Sequence, residues 1–543
     1  MGLGERKTCR EARRMIQIRN LCLKPGEDES RLKALAAVKA GVDENRISGI
    51  RILKKSLDAR KKQNIHYVYS VAAEIKSGER QILKKGRRDV SEYRKMEYII
   101  PEYPQEAPRP VIAGFGPAGI FAALVLARAG ARPVVLERGA PADERKKAVD
   151  EFRNGGRLDE RANVQFGEGG AGTFSDGKLN TGINDERLSW VLEQFRDHGA
   201  PENVTYDAKP HIGTDVLINV VRSFREEIIS LGGEIRFFSK LDGLITEKDK
   251  LRGAMVRCGE EIYEMPCEDL ILATGHSARD TFEMLNAGGI AMEQKPFSMG
   301  VRIEHRQKDI DAAQYGETYH DLPPADYSLN VHLPDGTSAY TFCMCPGGEV
   351  IAAASETGGV VTNGMSCSAR NGENANAALL VTLHTDDFPG KGPLAGMYWQ
   401  REIEQKAFRY AGSNYHAPAQ LLGDFMSNTA SSGAGRVIPS YRPGVTWGNI
   451  REVMPERICS VLENAIPELG RKLKGFDSED AVLTAPETRS SSPVRILRGK
   501  DFSAELRGLY PCGEGAGYAG GISSAAVDGM RCAEAVIAKH KTG

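Results

Sequence analysis

The sequence predicts an α/β chain whose central parallel sheet is assembled from distant segments, and three stretches predict it. Val111 to Glu137 reads VIAGFGPAGIFAALVLARAGARPVVLE: an apolar strand, a glycine turn, a small-residue helix, a second apolar strand and a terminal acid. Leu270 to Ala273 is a buried return strand that closes on Ala273-Thr274-Gly275 after a run of short strands. Leu509 to Cys512 is a third short strand, followed by GEGAGYAGGISSAAVDG and a helical pattern to the C-terminus. At 543 residues the chain exceeds one compact domain, and two to four are expected.

Residues 1–105 read as a small α/β domain. Met15 to Leu23 alternates as a strand, Glu29 to Ala40 has helical spacing, and Ile47 to Leu57 and Ile65 to Ile75 read as strands around a basic turn. Pro101, Pro104, Pro108 and Pro110 mark a linker. Residues 1–100 hold 25 Lys+Arg against 13 Asp+Glu, although the whole chain has a net charge of only −1. The clusters Lys54, Lys55, Arg60, Lys61, Lys62 and Lys84, Lys85, Arg87, Arg88 offer a nucleic-acid backbone a partner. No aromatic platform interleaves them, so a solvated face, or one that docks on the acidic remainder, is the favoured reading.

Residues 106–280 begin with the βαβ unit. Gly114 allows the turn out of the strand, Gly116 admits a pyrophosphate, and Gly119 lets helix and sheet approach closely. With Pro117 and Ala118 they open a helix whose free N–H groups and positive dipole end suit phosphates. Glu137, with Arg138 beside it, stands where an adenosine ribose is expected, about 20 residues beyond the glycines. The apolar run is too short and too rich in glycine to span a membrane. Val164 to Gly182 then carries six glycines with Ser175, Asp176 and Lys178. Close backbone approach at Gly169, Gly170, Gly172, Ser175, Gly177 and Lys178 along the cofactor's pyrophosphate or redox ring is expected.

Asp215 to Leu231 has helical spacing, and Glu234 to Gly275 reads as a β-meander into the return strand. A helix, a meander and a return strand ending in Ala273, Thr274 and Gly275 follow the first βαβ unit in the glutathione-reductase class of flavoproteins. A plain NAD dehydrogenase more often continues with βα repeats, so FAD is the leading cofactor.

Residues 281–480 read as an inserted α+β cap domain that covers the cofactor and shapes a pocket for a small-molecule substrate. Its histidines are isolated, so no metal is expected. Cys343 and Cys345 lie in an apparently extended run. On a regular strand they share a face but stand too far apart for a disulfide, so ordinary strand packing is expected. Residues 481–543 return to the cofactor domain. Gly513 and Glu514 are placed on the ribityl chain, and the helix start at Gly520, Gly521 and Ile522 on the flavin or its phosphates. Arg489 and Arg495 either offer positive charge to a reduced, anionic flavin or anchor loops by hydrogen bonds.

The start of the chain lacks the apolar segment of a secretory signal. Ten cysteines without a CxxC pair suit a reducing cytoplasm.

Taken together, RISGIRILKKSLDARKK, GFGPAGIFAALVLARAGARPVVLERG, GEGGAGTFSDGKLNT, ATGHSARD, FCMCPGGEVIAAASE, PETRSSSPVRI and YPCGEGAGYAGGISSAAVDG resemble a family of FAD-dependent dehydrogenases of unassigned substrate, also described as NAD(P)/FAD-dependent oxidoreductases. The resemblance implies a glutathione-reductase-type, Rossmann-like FAD domain, a cap domain and an N-terminal appendage. Glu514 stands where flavoproteins of this type usually carry aspartate.

The function expected is a hydride exchange between the flavin and a small molecule. Lys178, His276 and Arg495 are the side chains expected to tune the flavin or move protons, and NAD(P)H is a transient electron donor. The alternative is an FAD-containing, RNA-associated protein acting through residues 1–105. Oligomeric state is not legible.

Overall fold

The structure, a computed structural model, describes residues 15–316 and 322–541. The chain forms two compact units. The first comprises the described residues up to Tyr98 together with Thr205–Pro210, and the second holds Ile99–Val204, His211–Gly316 and Pro323 onward. Residues 1–14 of the expected N-terminal domain lie outside the described residues.

The first unit runs strand Met15–Leu23, helix Arg31–Ala40, strands Ile47–Asp58 and His66–Ile75, helix Glu79–Lys84 and strand Val90–Tyr93. Its sheet is antiparallel, with the four strands in the order second, third, first, fourth. This is a βαββαβ arrangement. In the first strand Ile16, Ile18, Leu21 and Leu23 all point into the core, although their spacing breaks strict alternation. A bulge between Ile18 and Leu21, with Asn20 at φ 56°, absorbs the extra residue and returns the apolar side to the same face. Leu32, Ala36, Ala37 and Ala40 cover that face from the first helix, which stops at Gly41 in the left-handed conformation.

Lys55 does not belong to an exposed basic cluster. Its ammonium is bonded to Glu29 at 2.7 Å and lies 4.9 Å and 5.6 Å from the ring centres of Tyr67 and Tyr69. Tyr69 is buried in the helix-side core and Tyr67 packs against it.

The second unit carries a five-stranded parallel sheet. Its order is Leu509–Pro511, Leu270–Leu272, Val111–Ala113, Val134–Leu136, Glu234–Arg236, so strands far apart in the chain lie side by side. The four strands up to Val134–Leu136 are buried along their whole length, as a sheet covered on both faces requires. Helix Pro117–Arg128 packs on it and against the C-terminal helix Ile522–Lys541. The helices meet closely because a Cβ on Gly529 would lie 2.1 Å from the Ala118 carbonyl oxygen. Strands Ser239–Glu247, Lys250–Cys258 and Glu261–Pro266 form an antiparallel meander beside the sheet.

A seven-stranded sheet is built from residues between Phe297 and Glu487. Its long strands Phe297–Arg306 and Asn374–Leu383 pair over ten residues. Buried charge accompanies this region. Glu404 accepts both guanidinium groups of Arg279 and Arg489 at 2.8–3.0 Å, and Arg302 pairs with Glu487 at 2.8 Å. Arg489 is therefore committed to Glu404 and to Ser355, and its charge is neutralised before any flavin is considered.

The expectation of ordinary strand packing at Cys343 and Cys345 fails for a local reason. The register of Ser338–Cys345 against its neighbour slips between Phe342 and Cys345, and Cys343 adopts φ 41°. The residues are thus not on a regular strand. Among the described residues no helix is long and apolar enough to cross a membrane.

Candidate functional site

Three neighbouring strands of the parallel sheet end together at Ala113, Leu272 and Pro511, and the loops that leave them meet over that edge. Glycine is dictated there by distance. Gly114 has φ 101°, and a Cβ on it would lie 2.3 Å from the Ala273 carbonyl oxygen. A Cβ on Gly119 would lie 1.9 Å from the Gly114 carbonyl oxygen, and one on Gly515 would lie 2.6 Å from the Gly275 carbonyl carbon. The turn from Gly114 to Gly119 therefore sits against the 273–275 loop, with Gly513 beside Ala118.

The 167–177 loop crosses the same turn. Gly170 has φ 59°, and its Cβ position is 3.0 Å from the Gly116 Cα; that of Gly172 is 3.3 Å from Ile522. Ser175 shapes this loop, donating to the Gly172 carbonyl at 2.7 Å and accepting from the Gly177 N–H at 3.0 Å. Gly520 and Gly521, at the start of the last helix, have open space around them. The backbone approaches expected at Gly114, Gly119, Gly170 and Gly172 are thus between protein segments. Pro117, Ile120, Gly172, Leu217 and Ile522 line an apolar cleft beside the turn.

Glu137 is 5% exposed. One oxygen accepts the Phe115 N–H at 2.9 Å, and the other accepts those of Gly139 at 2.8 Å and Gly167 at 3.1 Å. A carboxylate offers about four acceptor positions, so three backbone donors leave room for one more. Glu137 ties the glycine turn, its own strand end and the second loop together. Glu137→Gln turns an amide N–H₂ toward at least one of these donors. We expect it to lower stability by about 2 kcal/mol, measured as a shift of the denaturant midpoint. Arg138 is held bidentate by Asp280 at 2.8 and 3.0 Å, over the Phe166 ring.

His276 follows directly on Gly275. Its Nδ1 is 3.4 Å from Glu514 Oε1, and its Nε2 is buried without a partner among the described residues. Arg495 lies near Glu293 at 3.5 Å, its guanidinium 5.5 Å from the Tyr518 ring centre, and its Nε is likewise buried with no partner among the described residues. Burial, with Arg495 adding to it and Glu514 opposing, lowers the nearby Lys295 ammonium below its ordinary range. Lys178 belongs to another cluster. It is bonded to the Met344 carbonyl and pairs with Asp176 at 3.1 Å. Burial works to raise the Asp176 carboxyl, yet Lys178 and Arg370 overcome it and hold it at about 2.

Sequence reasoning missed two supports. The Arg145 guanidinium, fully buried, donates to the carbonyls of Asn163, Val164 and Glu168 at 2.7–2.8 Å and so braces the loop before Gly169. Asp528 accepts the Gly513 N–H at 2.7 Å and pairs with Arg498 at 2.6 Å. An acid inside the apolar stripe of the last helix was the available signal. Cys512, Asp528 and Cys532 place three potential ligand atoms within 4.8 Å of one another, but the carboxylate is already engaged.

An uncharacterized protein of Clostridium beijerinckii is 48% identical over 487 residues, spanning 89% of this chain and 91% of the relative. The chain belongs to that protein's family. Residues 296–490 match the family described as FAD-dependent protein, C-terminal domain-like, and residues 15–74 match a domain of unknown function, DUF8436. Among solved structures, a flavin-dependent brominase is 13% identical with a TM-score of 0.37, covering 80% of each chain. A geranylgeranyl bacteriochlorophyll reductase-like protein of Thermoplasma acidophilum is 13% identical with a TM-score of 0.34, covering 80% of this chain and 81% of its own. At that distance neither likeness identifies a reaction.

Proposed function

We propose that the protein is an FAD-dependent oxidoreductase acting on a small molecule. The observation that carries the reading is the meeting of three parallel strand ends, where Gly114 after the first and Gly513 and Gly515 after the third are too closely packed to accept a side chain. Two buried polar atoms there, His276 Nε2 and Arg495 Nε, have no partner among the described residues. Buried polar groups are nearly always hydrogen-bonded, so such atoms point to a polar group that the chain itself does not supply. The match of residues 296–490 to an FAD-dependent family agrees with it.

FAD, when bound, supplies two-electron hydride chemistry at its isoalloxazine ring. The chain's own residues hold and orient it. The N–H groups at the start of Pro117–Arg128, with the turn from Gly114 to Gly119, take the pyrophosphate, and the remaining acceptor position of Glu137 takes one ribose hydroxyl. Thr274 and Gly275, Gly513 and Glu514, and the Gly520–Ile522 helix start receive the rest. His276 is the proton carrier, its Nδ1 steadied by Glu514 and its Nε2 free to donate or accept. Arg495 contributes positive charge, whereas Lys178, paired with Asp176, stands apart from this constellation. The sheet from Phe297 to Glu487 closes over the ring and forms the substrate pocket.

Gly170→Val tests the placement of the second loop. A branched side chain at φ 59°, 3.0 Å from Gly116, displaces the loop from the turn. Fluorescence titration with FAD is expected to show at least a hundredfold weaker binding than wild type, with the thermal midpoint of the cofactor-free protein also lowered by the strain of a branched residue at positive φ. Equal affinity in the two proteins contradicts the placement.

A further inference from the structure

A buried cluster around Lys178 and the bulge at Cys343 has chemistry of its own. The slipped register puts Cys343 partly at the surface while Cys345 is fully buried. The Cys345 sulfur lies 3.2 Å from the Cys343 carbonyl oxygen, to which its S–H donates, so the bulge turns the Cys345 side chain back onto residue 343. The left-handed residue between Phe342 and Met344 folds the segment back on itself, which a regular strand would not do. The premise that separated these sulfurs in an extended run is therefore removed.

The charges around the pair favour an anion on Cys343. Lys178 is bonded to the intervening Met344 carbonyl, and Arg302 donates to the Cys343 carbonyl at 3.0 Å. The acids that face the pair are neutralised: Asp176 by Lys178 and Arg370, Glu487 by Arg302. Tyr327 packs on the Cys345 side with its hydroxyl buried. The hydrogen bond from Cys345 acts against burial and, with Lys178 and Arg302, pulls the Cys343 thiol down to about 5, while Cys345 is pushed up. A thiol drawn toward its anion on a partly exposed residue, beside a fully buried thiol, matches the pairing of an attacking and a resolving cysteine.

We propose that Cys343 and Cys345 form a reversible dithiol–disulfide couple for low-molecular-weight disulfides, with Cys343 attacking and Cys345 resolving. The Cys343 thiolate attacks one sulfur of the small disulfide, whose S–S bond breaks and releases one thiolate. Cys345 then attacks the Cys343 sulfur of the mixed disulfide. A second small thiolate leaves, and the Cys345 proton passes to one of the two released. The two cysteines lose two electrons and the small disulfide gains them. None of this depends on the cofactor reading.

The test poises the full-length protein in buffers of stepped glutathione disulfide to glutathione ratio, quenches in acid, alkylates the remaining thiols after unfolding, and examines the peptide holding both cysteines by mass spectrometry. The couple predicts that both labels disappear together in one two-electron transition, leaving a peptide two mass units lighter than its dithiol form. Cys512 and Cys532 are both buried, and Arg498, which donates to the Cys532 sulfur at 3.5 Å, is bound to Asp528; they are expected to keep their labels throughout. In Cys345→Ser the glutathione adduct accumulates on Cys343, and in Cys343→Ser residue 345 carries none. The proposal is overturned if wild-type Cys343 accumulates as a glutathione adduct while Cys345 stays labelled, or if both stay labelled at the most oxidising ratio. The wild-type titration needs no variant to fold.

Discussion

Gly114→Ala is expected to lower stability by about 3 kcal/mol and to leave the purified protein with less than a tenth of the wild-type flavin. Two costs combine. The residue sits at φ 101°, where an L side chain is strained, and its Cβ would lie 2.3 Å from the Ala273 carbonyl oxygen and 2.7 Å from the carbon that bears it. Both obstacles are backbone atoms of Ala273, directly after the buried return strand, so relief requires that strand end to move away from the first strand. Gly130→Ala is the control. It has a similar positive φ of 87° but nothing within 4 Å of its Cβ position, so it is expected to cost only about 1 kcal/mol. Calorimetry gives the stabilities, and the flavin absorbance relative to protein gives the content.

Glu404→Ala is expected to cost about 4 kcal/mol, because it removes the carboxylate that two buried guanidinium groups share and leaves only Glu356, 2.6 Å from Arg279 and 4.0 Å from Arg489. Glu404, Arg279 and Arg489 are each less than a tenth exposed, and four of the hydrogen bonds joining them are 2.8–3.0 Å long. The pH dependence has a definite sign. Burial alone would raise the Glu404 carboxyl, but Arg279 and Arg489 hold it far below the usual carboxylate range. Its contribution is therefore complete above the unfolded value near 4.3 and is lost as pH falls toward the folded value. The advantage of wild type over Glu404→Gln, read from thermal midpoints, is expected to be full at neutral pH and to shrink in acid.

The βαβ unit was legible because each of its features is local. Gly114, Gly116 and Gly119 sit within six positions of one another, and the flanking strands are continuous apolar runs. That these distant strands share one domain was legible only through chemistry at their ends, since Leu509–Pro511 and Leu270–Leu272 are three residues each, and their order in the sheet was not legible. What sequence could not give were partnerships between distant charges. Arg279 and Glu404 are 125 residues apart, and neither carries any mark of the other. The role of Glu137 as a clamp on Phe115, Gly139 and Gly167 was hidden because its position alone suggested a ligand. The bulge at Cys343 was hidden because no glycine marks the left-handed residue, so the run read as an unbroken strand.

The most direct test of an FAD-dependent oxidoreductase is the cofactor content of the purified full-length protein, by absorbance and by chromatography of what heat or acid releases. The expected result is a yellow protein that releases one FAD per chain and whose flavin band bleaches under anaerobic dithionite. A colourless protein that takes up no FAD when incubated with it would contradict the assignment.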